Sequence, residues 1–362
     1  MATRAEPIRA ATPAARAGLA AWLRRRTVLL ALTGIAALFV ALVAGIAAGP
    51  VAIAPGDTLA ILSHALLGWP SQVTWSPADQ TIVLDLRLPR VLTAMTVGAG
   101  LAVAGATFQG LLRNPLADPY VLGTASGAAL GAAVAVLIPL RGLVFGLGLV
   151  QALAFLGALG AVFVVYRLSR IGQLGSMTGL LLTGYAVGSL LAAGLAVTMY
   201  LSGDDLRQIF FYLLGGFSDA SWSQLAASAP LIALGSLAIL LRARTLNGLL
   251  LGEEAAEHLG LDVGRERAIL LILASLVTAA AVAVAGLIGF VGLVVPHVVR
   301  LGAGANARLL VPLAALYGAS FLAFSDLLAR LPGEVPVGIV TALIGAPFFL
   351  YLLSRARGGY EL

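Results

Sequence analysis

RARTLNGLLLGEEAAEHLGLDVGRER, residues 242–267, runs directly into AILLILASLVTAAAVAVAGL, residues 268–287. The second segment carries no charge, and a helix of about 20 apolar residues is long enough to cross the hydrocarbon layer of a bilayer. The first segment is the longest charge-rich stretch between two sets of such apolar segments. Together they predict an integral membrane protein that exposes one polar segment to a soluble partner.

The charge-rich segment has the pattern of a short surface helix. Leu251, Ala255 and Leu259 fall on one helical stripe. Glu253, Glu254 and Glu257 lie off it. Gly260 followed by Leu261 is typical of a helix that ends at a glycine with a hydrophobic residue after it. The helix is too short and too acidic to cross a bilayer. A solvated connector without a partner is the simpler interpretation of this pattern taken alone.

The composition of the whole chain is that of a polytopic membrane protein. Of 362 residues, 60% are hydrophobic and only 10% are charged. The repeated long apolar runs exclude a transmembrane barrel, whose alternating strands are shorter. The chain has no cysteine, which excludes disulfides, thiolate metal ligands and a cysteine nucleophile.

Ten apolar segments are candidate membrane spans, and they lie near residues 27–50, 91–112, 119–139, 143–166, 175–201, 222–241, 268–287, 288–301, 309–330 and 335–353. With a cytoplasmic N-terminus and ten spans, 17 of the 22 basic residues face the cytoplasm. The positive-inside rule supports this orientation and therefore a cytoplasmic C-terminus. The positive charge follows the topology, so nothing indicates a nucleic-acid partner.

We divide the chain into a cytoplasmic tail (1–26), a single transmembrane domain (27–355) that includes the polar segment 242–267, and a short cytoplasmic C-terminal tail (356–362). The N-terminus resembles a signal peptide in its arginines and following apolar run. However, residues 27–49 are longer than the apolar region of a signal peptide, so we expect them to remain as the first span.

The chemistry-bearing residues are sparse. The clear charges lie at predicted span ends or in loops, whereas ion-coupled carriers and membrane enzymes place ionisable groups at bilayer depth. The three histidines are far apart in the sequence, and no nucleophile or acid–base group stands out, so an enzyme is disfavoured. The chain also lacks lysine, so it cannot contain the phosphate-binding motif G-x-x-x-x-G-K-[ST]. Any ATP-driven transport would need an ATPase on another chain.

Four long motifs carry a specific resemblance, and together they span about residues 85–355. They are RLPRVLTAMTVGAGLAVAGATFQGLLRNPLADPYVLGTASGAALG (87–131), LGEEAAEHLGLDV (251–263), GLIGFVGLVVPHVVRL (286–301) and DLLARLPGEVPVGIVTALIGAPFFLYLL (326–353). In this order they resemble the permeases of iron-chelate and cobalamin importers. The resemblance implies an all-α permease with ten transmembrane helices per subunit that works as a homodimer in the bacterial cytoplasmic (inner) membrane. It also implies two ATPase subunits, which hold the ATP and Mg, and an extracytoplasmic substrate-binding protein.

The resemblance further assigns two contact surfaces to this sequence. The family's coupling helix corresponds to residues 252–260, where the residues that would meet the ATPase are Gly252, Glu253, Glu254, Ala256, Leu259 and Gly260. The arginines that would dock the binding protein are Arg87, Arg90 and Arg330. All three lie outside in the predicted topology, and cationic patches recruit anionic partners. Anchoring of spans at the lipid headgroups is the alternative.

The translocation pathway is expected along the fifth span and the helix after it. The matching positions are Gly184, Val187, Gly188, Leu191, Leu195, Asp204, Arg207 and Gln208. Glycines in such a span also serve close helix packing, which is the simpler interpretation of each one. Ser202 and Asp205 have the spacing of a capping box. Asn114 and Asp118 are predicted turn or cap residues, and gating by them is an open alternative.

We therefore expect the transmembrane subunit of an ATP-driven importer for a bulky iron chelate, either a ferric siderophore or haem. Cobalamin is the alternative within the family, and molybdate-type oxyanions are a more distant one. An ion-coupled secondary carrier or a passive channel is the competing hypothesis from another class. We expect no cofactor in this chain.

Overall fold

The computed structural model describes residues 13–138, 142–144, 147–170, 177–331 and 333–356. Residues 1–12 of the predicted N-terminal tail and 357–362 of the C-terminal tail lie outside the described residues. The described ranges form α-helices, a short π-helix (Ile82–Arg87), a 3-10 turn (Gly203–Asp205) and one two-stranded antiparallel hairpin, β1 (Leu143–Val144) and β2 (Leu147–Gly148). The helices are α1 (Pro13–Ala47), α2 (Pro55–Leu67), α3 (Pro77–Thr81), α4 (Leu88–Leu111), α5 (Thr124–Leu137), α6 (Leu149–Arg170), α7 (Met177–Leu201), α8 (Leu206–Leu214), α9 (Trp222–Leu241), α10 (Ala243–Leu250), α11 (Glu253–His258), α12 (Val263–Ala285), α13 (Val291–Ala303), α14 (Ala307–Arg330) and α15 (Val337–Ala356).

Each of the ten predicted spans coincides with one of these helices. Within the described ranges, seven helices are long and apolar enough to cross a membrane. Three more are apolar but shorter, namely Thr124–Leu137, Val291–Ala303 and Val337–Leu352. The prediction of a helical, multi-span membrane protein is therefore confirmed. Below, "cytoplasmic" and "outer" refer to the orientation predicted from the basic residues.

The fourth predicted span begins later than expected. It was placed from residue 143, but the hairpin occupies the first residues and α6 starts at Leu149. Gly142 precedes β1, and Gly148 is the last residue of β2. Glycine is a poor helix former, which explains why the helix begins only beyond Gly148.

Several helices begin at side chains that satisfy free backbone N–H groups. The Asp262 carboxylate accepts from the Arg265 N–H at the start of α12, and the Asn306 side chain accepts from the Arg308 N–H at the start of α14. Ser221 accepts from the Gln224 N–H in the same way at the start of α9. Such caps favour the observed start of each helix.

The core is built around α4, which packs against α9, α12, α13 and α14. Close approach depends on paired glycines. A Cβ added at Gly105 would lie 1.8 Å from the Gly292 carbonyl oxygen, and one at Gly98 would lie 2.3 Å from the Gly318 carbonyl oxygen. In membranes, where lipid is as apolar as leucine, such contacts between small residues supply much of the packing energy.

Two irregular segments, 112–123 and 286–290, meet inside the helix bundle. The Tyr120 hydroxyl donates to the Ile288 carbonyl at 2.9 Å. Pro119 lies against Gly292, and Gly292 lies against Leu101 and Gly105 in the interior of α4. After α4 ends, the chain thus runs back alongside α4 as far as the middle of that helix before α5 begins. Irregular backbone is tolerated at membrane depth only where protein surrounds it or where it lines a cavity. This explains why α5 and α13 are short.

Candidate functional sites

The polar segment 242–267, which we call the coupling segment, folds as two short helices, α10 and α11. Gly252 joins them at φ +121°, and Gly260 ends α11 at φ +79°. The Leu261 N–H bonds to the Ala256 carbonyl and the Gly260 N–H to the Glu257 carbonyl, so the predicted glycine-terminated helix end is confirmed. Leu261 in turn packs towards Gly248 of α10.

One residue of α11 lies on the face opposite to the one expected from the sequence. Ala256, predicted to meet the ATPase, is fully buried and belongs to the main apolar core. Its small side chain lets α11 lie directly on the body of the protein, so it is not exposed to a partner. Glu253 and Glu254 are exposed, and Leu251 and Leu259 are 68% and 63% exposed. The exposed surface of the segment is therefore a pair of leucines around an acidic helix.

Within the coupling segment, two ion pairs join the residues before α12 to the first turns of α12. Arg267 pairs with Glu253 at 2.6 Å, and Arg242 pairs with Glu266. The hydrogen bond from the Arg267 guanidinium, followed by its charge, lowers the pKa of the Glu253 carboxyl. Glu253 therefore stays ionised at neutral pH and keeps the start of α11 attached to α12. Its side chain is more than half exposed, so we expect a small contribution to stability.

The exposed leucines lead to the first testable prediction. Leu259→Asp should leave the fold intact, because the side chain is exposed, and should weaken binding of the partner ATPase by about tenfold, as expected for a contact worth 1 to 2 kcal/mol. Affinity can be measured by surface plasmon resonance on permease in nanodiscs. Ala305→Asp, in the exposed cytoplasmic turn before α14, is the matched control and should bind normally. Equal affinity of the two variants would refute the role of Leu259.

The three predicted docking arginines form a buried cluster at the outer ends of α1, α4 and α14. Arg90 Nε lies 3.0 Å from Asp326 Oδ1, and Arg330 Nε lies 3.1 Å from Asp326 Oδ2. Arg90 also pairs with Glu334 at 3.3 Å. Arg87 donates to the Ile46 and Ala47 carbonyls at 3.0 Å each, and to the Val51 carbonyl.

This geometry corrects the expectation of an exposed arginine patch. Arg87, Arg90 and Arg330 are only 4%, 8% and 3% exposed. Arg87 satisfies carbonyls left free at the end of α1, and the other two compensate the fully buried Asp326. The i,i+4 spacing of Asp326 and Arg330 was the sequence signal that could have revealed the pairing. The docking role itself stays a prediction.

An outer cavity of about 1220 Å³ lies between the loop after α5, helix α8 and the outer end of α12. Three of the predicted vestibule residues, Asp204, Arg207 and Gln208, line it. The Arg207 guanidinium lies over the Phe211 ring, 5.5 Å from its centroid. The predicted capping box is wrong, because the Ser202 hydroxyl donates back to the Met199 carbonyl instead of capping α8.

The predicted pathway positions on α7 face the protein rather than its surface. A Cβ at Gly184 would lie 2.7 Å from the Val121 carbonyl oxygen, and Gly188 approaches Gly123. Val187 is buried, Leu191 packs on the main core and Leu195 is half-buried. The exposed face of α7 carries different residues, namely Leu182, Tyr185, Ser189, Leu190, Val197 and Tyr200. Because α7 is apolar on all sides, its sequence did not show which face is covered.

Turn residues between α4 and α5 follow the prediction. Asn114 Oδ1 accepts from the Leu116 N–H at 2.9 Å, and Asp118 Oδ1 accepts from the Tyr120 N–H at 2.8 Å. Both are side-chain-to-backbone turns. Among the described residues, no three His, Asp or Glu side chains are grouped so that they could hold a metal ion.

Comparison with known proteins identifies the family. Residues 37–355 match the model of the FecCD transport family. A cobalamin import permease of Halobacterium salinarum is 47% identical over 76% of this chain and 73% of its own length. A hemin transport permease of Yersinia pestis is 45% identical over 76% of this chain and 84% of its own. A solved inward-facing transporter described as of the metal-chelate type matches with TM-score 0.71 and 33% identity, covering 83% of this chain and 98% of that one. The helix order, the coupling segment and these matches together show that the chain belongs to the FecCD transport family, as a multi-pass permease subunit of an ABC importer that is not itself an enzyme.

Proposed function

We propose that this chain forms the membrane part of an importer that takes up a bulky metal chelate, with cobalamin as the first candidate and haem as the second. The observation that supports this most is the family match over residues 37–355, together with similar relatives whose names specify cobalamin and hemin. The outer cavity of about 1220 Å³ exceeds the usual range for small ligands, as a large substrate requires.

The charges around the cavity favour cobalamin over haem. The cavity is lined by four carboxylates and one guanidinium, belonging to Asp204, Asp205, Asp219, Glu334 and Arg207. A cavity lined mainly by carboxylates would repel anionic substrates. Haem, whose two propionates are negative at neutral pH, would therefore be disfavoured, and oxyanions would be disfavoured even more. This reverses the order expected from the sequence, in which an iron chelate came first.

A reconstituted transport assay tests the proposal. The permease would be assembled in liposomes with its cognate ATPase and binding protein, and uptake of radiolabelled cobalamin, haem and a ferric siderophore would be compared with and without ATP. We expect ATP-dependent uptake of cobalamin. Uptake of haem alone would overturn the preference for cobalamin, and the absence of ATP-dependent uptake of any chelate would overturn the proposed function.

The proposed complex contains two copies of this chain, two ATPase subunits and one substrate-binding protein, with ten spans and cytoplasmic termini in each permease subunit. The short helices α5, α13 and α15 would complete the ten spans together with the irregular segments beside α5 and α13. Docking of the binding protein on Arg87, Arg90 and Arg330 is part of this proposal. Because these arginines are buried, docking would have to release a guanidinium from one of its carboxylate partners, Asp326 or Glu334. Glu334 is the more accessible of the two, since its side chain is 49% exposed.

The exposed face of α7 is our proposed contact with the second copy and with the pathway. Tyr185 lies near the middle of α7 and is 77% exposed. Tyrosine in membrane proteins concentrates at the interfaces with water, so a tyrosine exposed at mid-helix favours a partner subunit or a water-filled pathway over lipid. Ser189 lies one turn further along the same face, and its hydroxyl donates to the Tyr185 carbonyl.

This surface gives the second prediction. Since the chain has no cysteine, single cysteines can be introduced directly at Tyr185 and Ser189. We expect at least one of them to cross-link two subunits or to react with a water-soluble thiol reagent. Val187→Cys, on the covered face, is the control and should stay unreactive. If Val187→Cys reacts while both others are inert, the assignment of the two faces is wrong.

A further inference from the structure

Arg113 occupies a backbone position that normally belongs to glycine. It follows the end of α4 with φ +48°, in the left-handed region. The Asn114 N–H bonds to the Gln109 carbonyl and the Arg113 N–H to the Gly110 carbonyl, which is the hydrogen-bond pattern of a helix closed by a left-handed residue. A residue with a Cβ is strained there, and such strain persists where the surrounding structure or a function requires the side chain.

The Arg113 side chain reaches the coupling segment. Its Nε donates to the Leu249 carbonyl at 3.0 Å, in the last turn of α10. The same carbonyl lies at the junction with α11, since it also accepts the Gly252 N–H at 3.4 Å. A guanidinium is well placed at a helix C-terminus, where carbonyls are free and the helix dipole is negative. Its charge also contributes, after that of Arg267, to the lowered pKa of the Glu253 carboxyl.

Beyond Arg113, the segment 112–123 is in contact with two helices of the membrane part. Its own turns are held by the Asn114 and Asp118 side chains. The Val121 carbonyl then lies against Gly184 of α7, and Pro119 lies against Gly292 of α13. Both contacts are too close for any added Cβ to fit without movement. A displacement of this segment towards α7 or α13 would therefore have to move that helix.

We infer that Arg113 is a positioning residue that links the coupling segment to α7 and α13, so that movement imposed on α10 and α11 by the ATPase reaches the transport pathway. The inference rests on the proposed function, because it assumes an ATPase bound at the coupling segment. It assigns to this side chain one connection between segment 112–123 and α10, which are more than 100 residues apart in the sequence. Arg113 contacts neither nucleotide nor substrate in this role.

Arg113→Gly separates a linking role from a structural one, because glycine relieves the left-handed backbone while it removes the side chain. We expect the variant to be at least as stable as the wild type, to bind the ATPase normally and to hydrolyse ATP at a similar rate. Substrate imported per ATP hydrolysed should fall about tenfold, the factor that corresponds to loss of one charge-assisted hydrogen bond. Arg167→Ala, an exposed arginine at the cytoplasmic end of α6 and outside the coupling segment, removes the same charge and is the matched control, with unchanged coupling.

The possible results are distinct. Wild-type coupling in Arg113→Gly overturns the inference, and so does a loss of transport accompanied by an equal loss of thermal stability or of ATPase binding. An equal defect in Arg167→Ala also overturns it, because charge alone would then be responsible. If the wild-type complex shows no ATP-dependent uptake, it is the proposed function that fails. The paired readouts are thermal unfolding, ATPase affinity, and simultaneous measurement of phosphate release and substrate uptake in liposomes.

Discussion

Asp326→Ala is expected to destabilise the permease by about 3 to 5 kcal/mol, because it leaves the buried Arg330 guanidinium without a counter-ion and Arg90 with only the half-exposed carboxylate of Glu334. Asp326 is fully buried, and both of its carboxylate oxygens face arginines, Arg90 at 3.0 Å and Arg330 at 3.1 Å. A buried pair is not strongly stabilising relative to an apolar replacement of both partners, but removal of one partner alone is costly. The loss of stability should be concentrated at the outer ends of α4 and α14.

The measurement is apparent thermal unfolding of the purified permease in nanodiscs, where a decrease of about 4 to 7 °C is expected. Glu334→Gln is the control, since this carboxylate is half exposed and pairs with Arg90 from the rim of the cluster. Exposed pairs contribute about 0 to 1 kcal/mol, so its unfolding temperature should change little. Equal unfolding temperatures for Asp326→Ala and the wild type would show that Asp326 does not hold the arginines. That result would instead favour an exposed docking patch.

Gly105→Ala is expected to have an effect of similar size for a steric reason. The added Cβ would lie 1.8 Å from the Gly292 carbonyl oxygen, far inside van der Waals contact. The obstacle is backbone, so no change of rotamer can relieve it, and α4 and α13 must separate. Overpacking in a core typically costs 1 to 3 kcal/mol, and this contact should lie at about 3 kcal/mol or above.

Gly160→Ala is the matched control, because Gly160 lies in α6 with no atom close to an added Cβ. The same substitution there should be neutral or slightly stabilising, since alanine favours helix more than glycine does. The amount of folded protein recovered and its unfolding temperature can be compared for both variants. If Gly105→Ala behaves like Gly160→Ala, the close contact between α4 and α13 does not exist in the membrane.

The local features of this protein were predictable from its sequence. Apolar runs of membrane length located every long span, and the orientation that the arginine distribution indicates stays a prediction. Asn114 and Asp118 were recognised as turn residues, and Gly260 as the end of a helix, because these residues act through their own backbone neighbourhood. The four family motifs predicted the permease, and the second copy and the specific partners that they imply stay predictions. None of these inferences required knowledge of which helices touch.

The side that each helix presents was decided only by the tertiary structure. In a soluble protein the apolar stripe marks the buried face, but lipid is as apolar as the core, so that signal is missing in membrane helices. The covered face of α7 holds Val187 and the exposed face holds Leu190, two side chains of the same chemical class. Likewise, an arginine at the end of a span is compatible with an exposed docking patch and with a buried ion pair. Arg90 and Asp326 are distant in sequence, and only the packing of α4 on α14 brings the charges together and removes them from water.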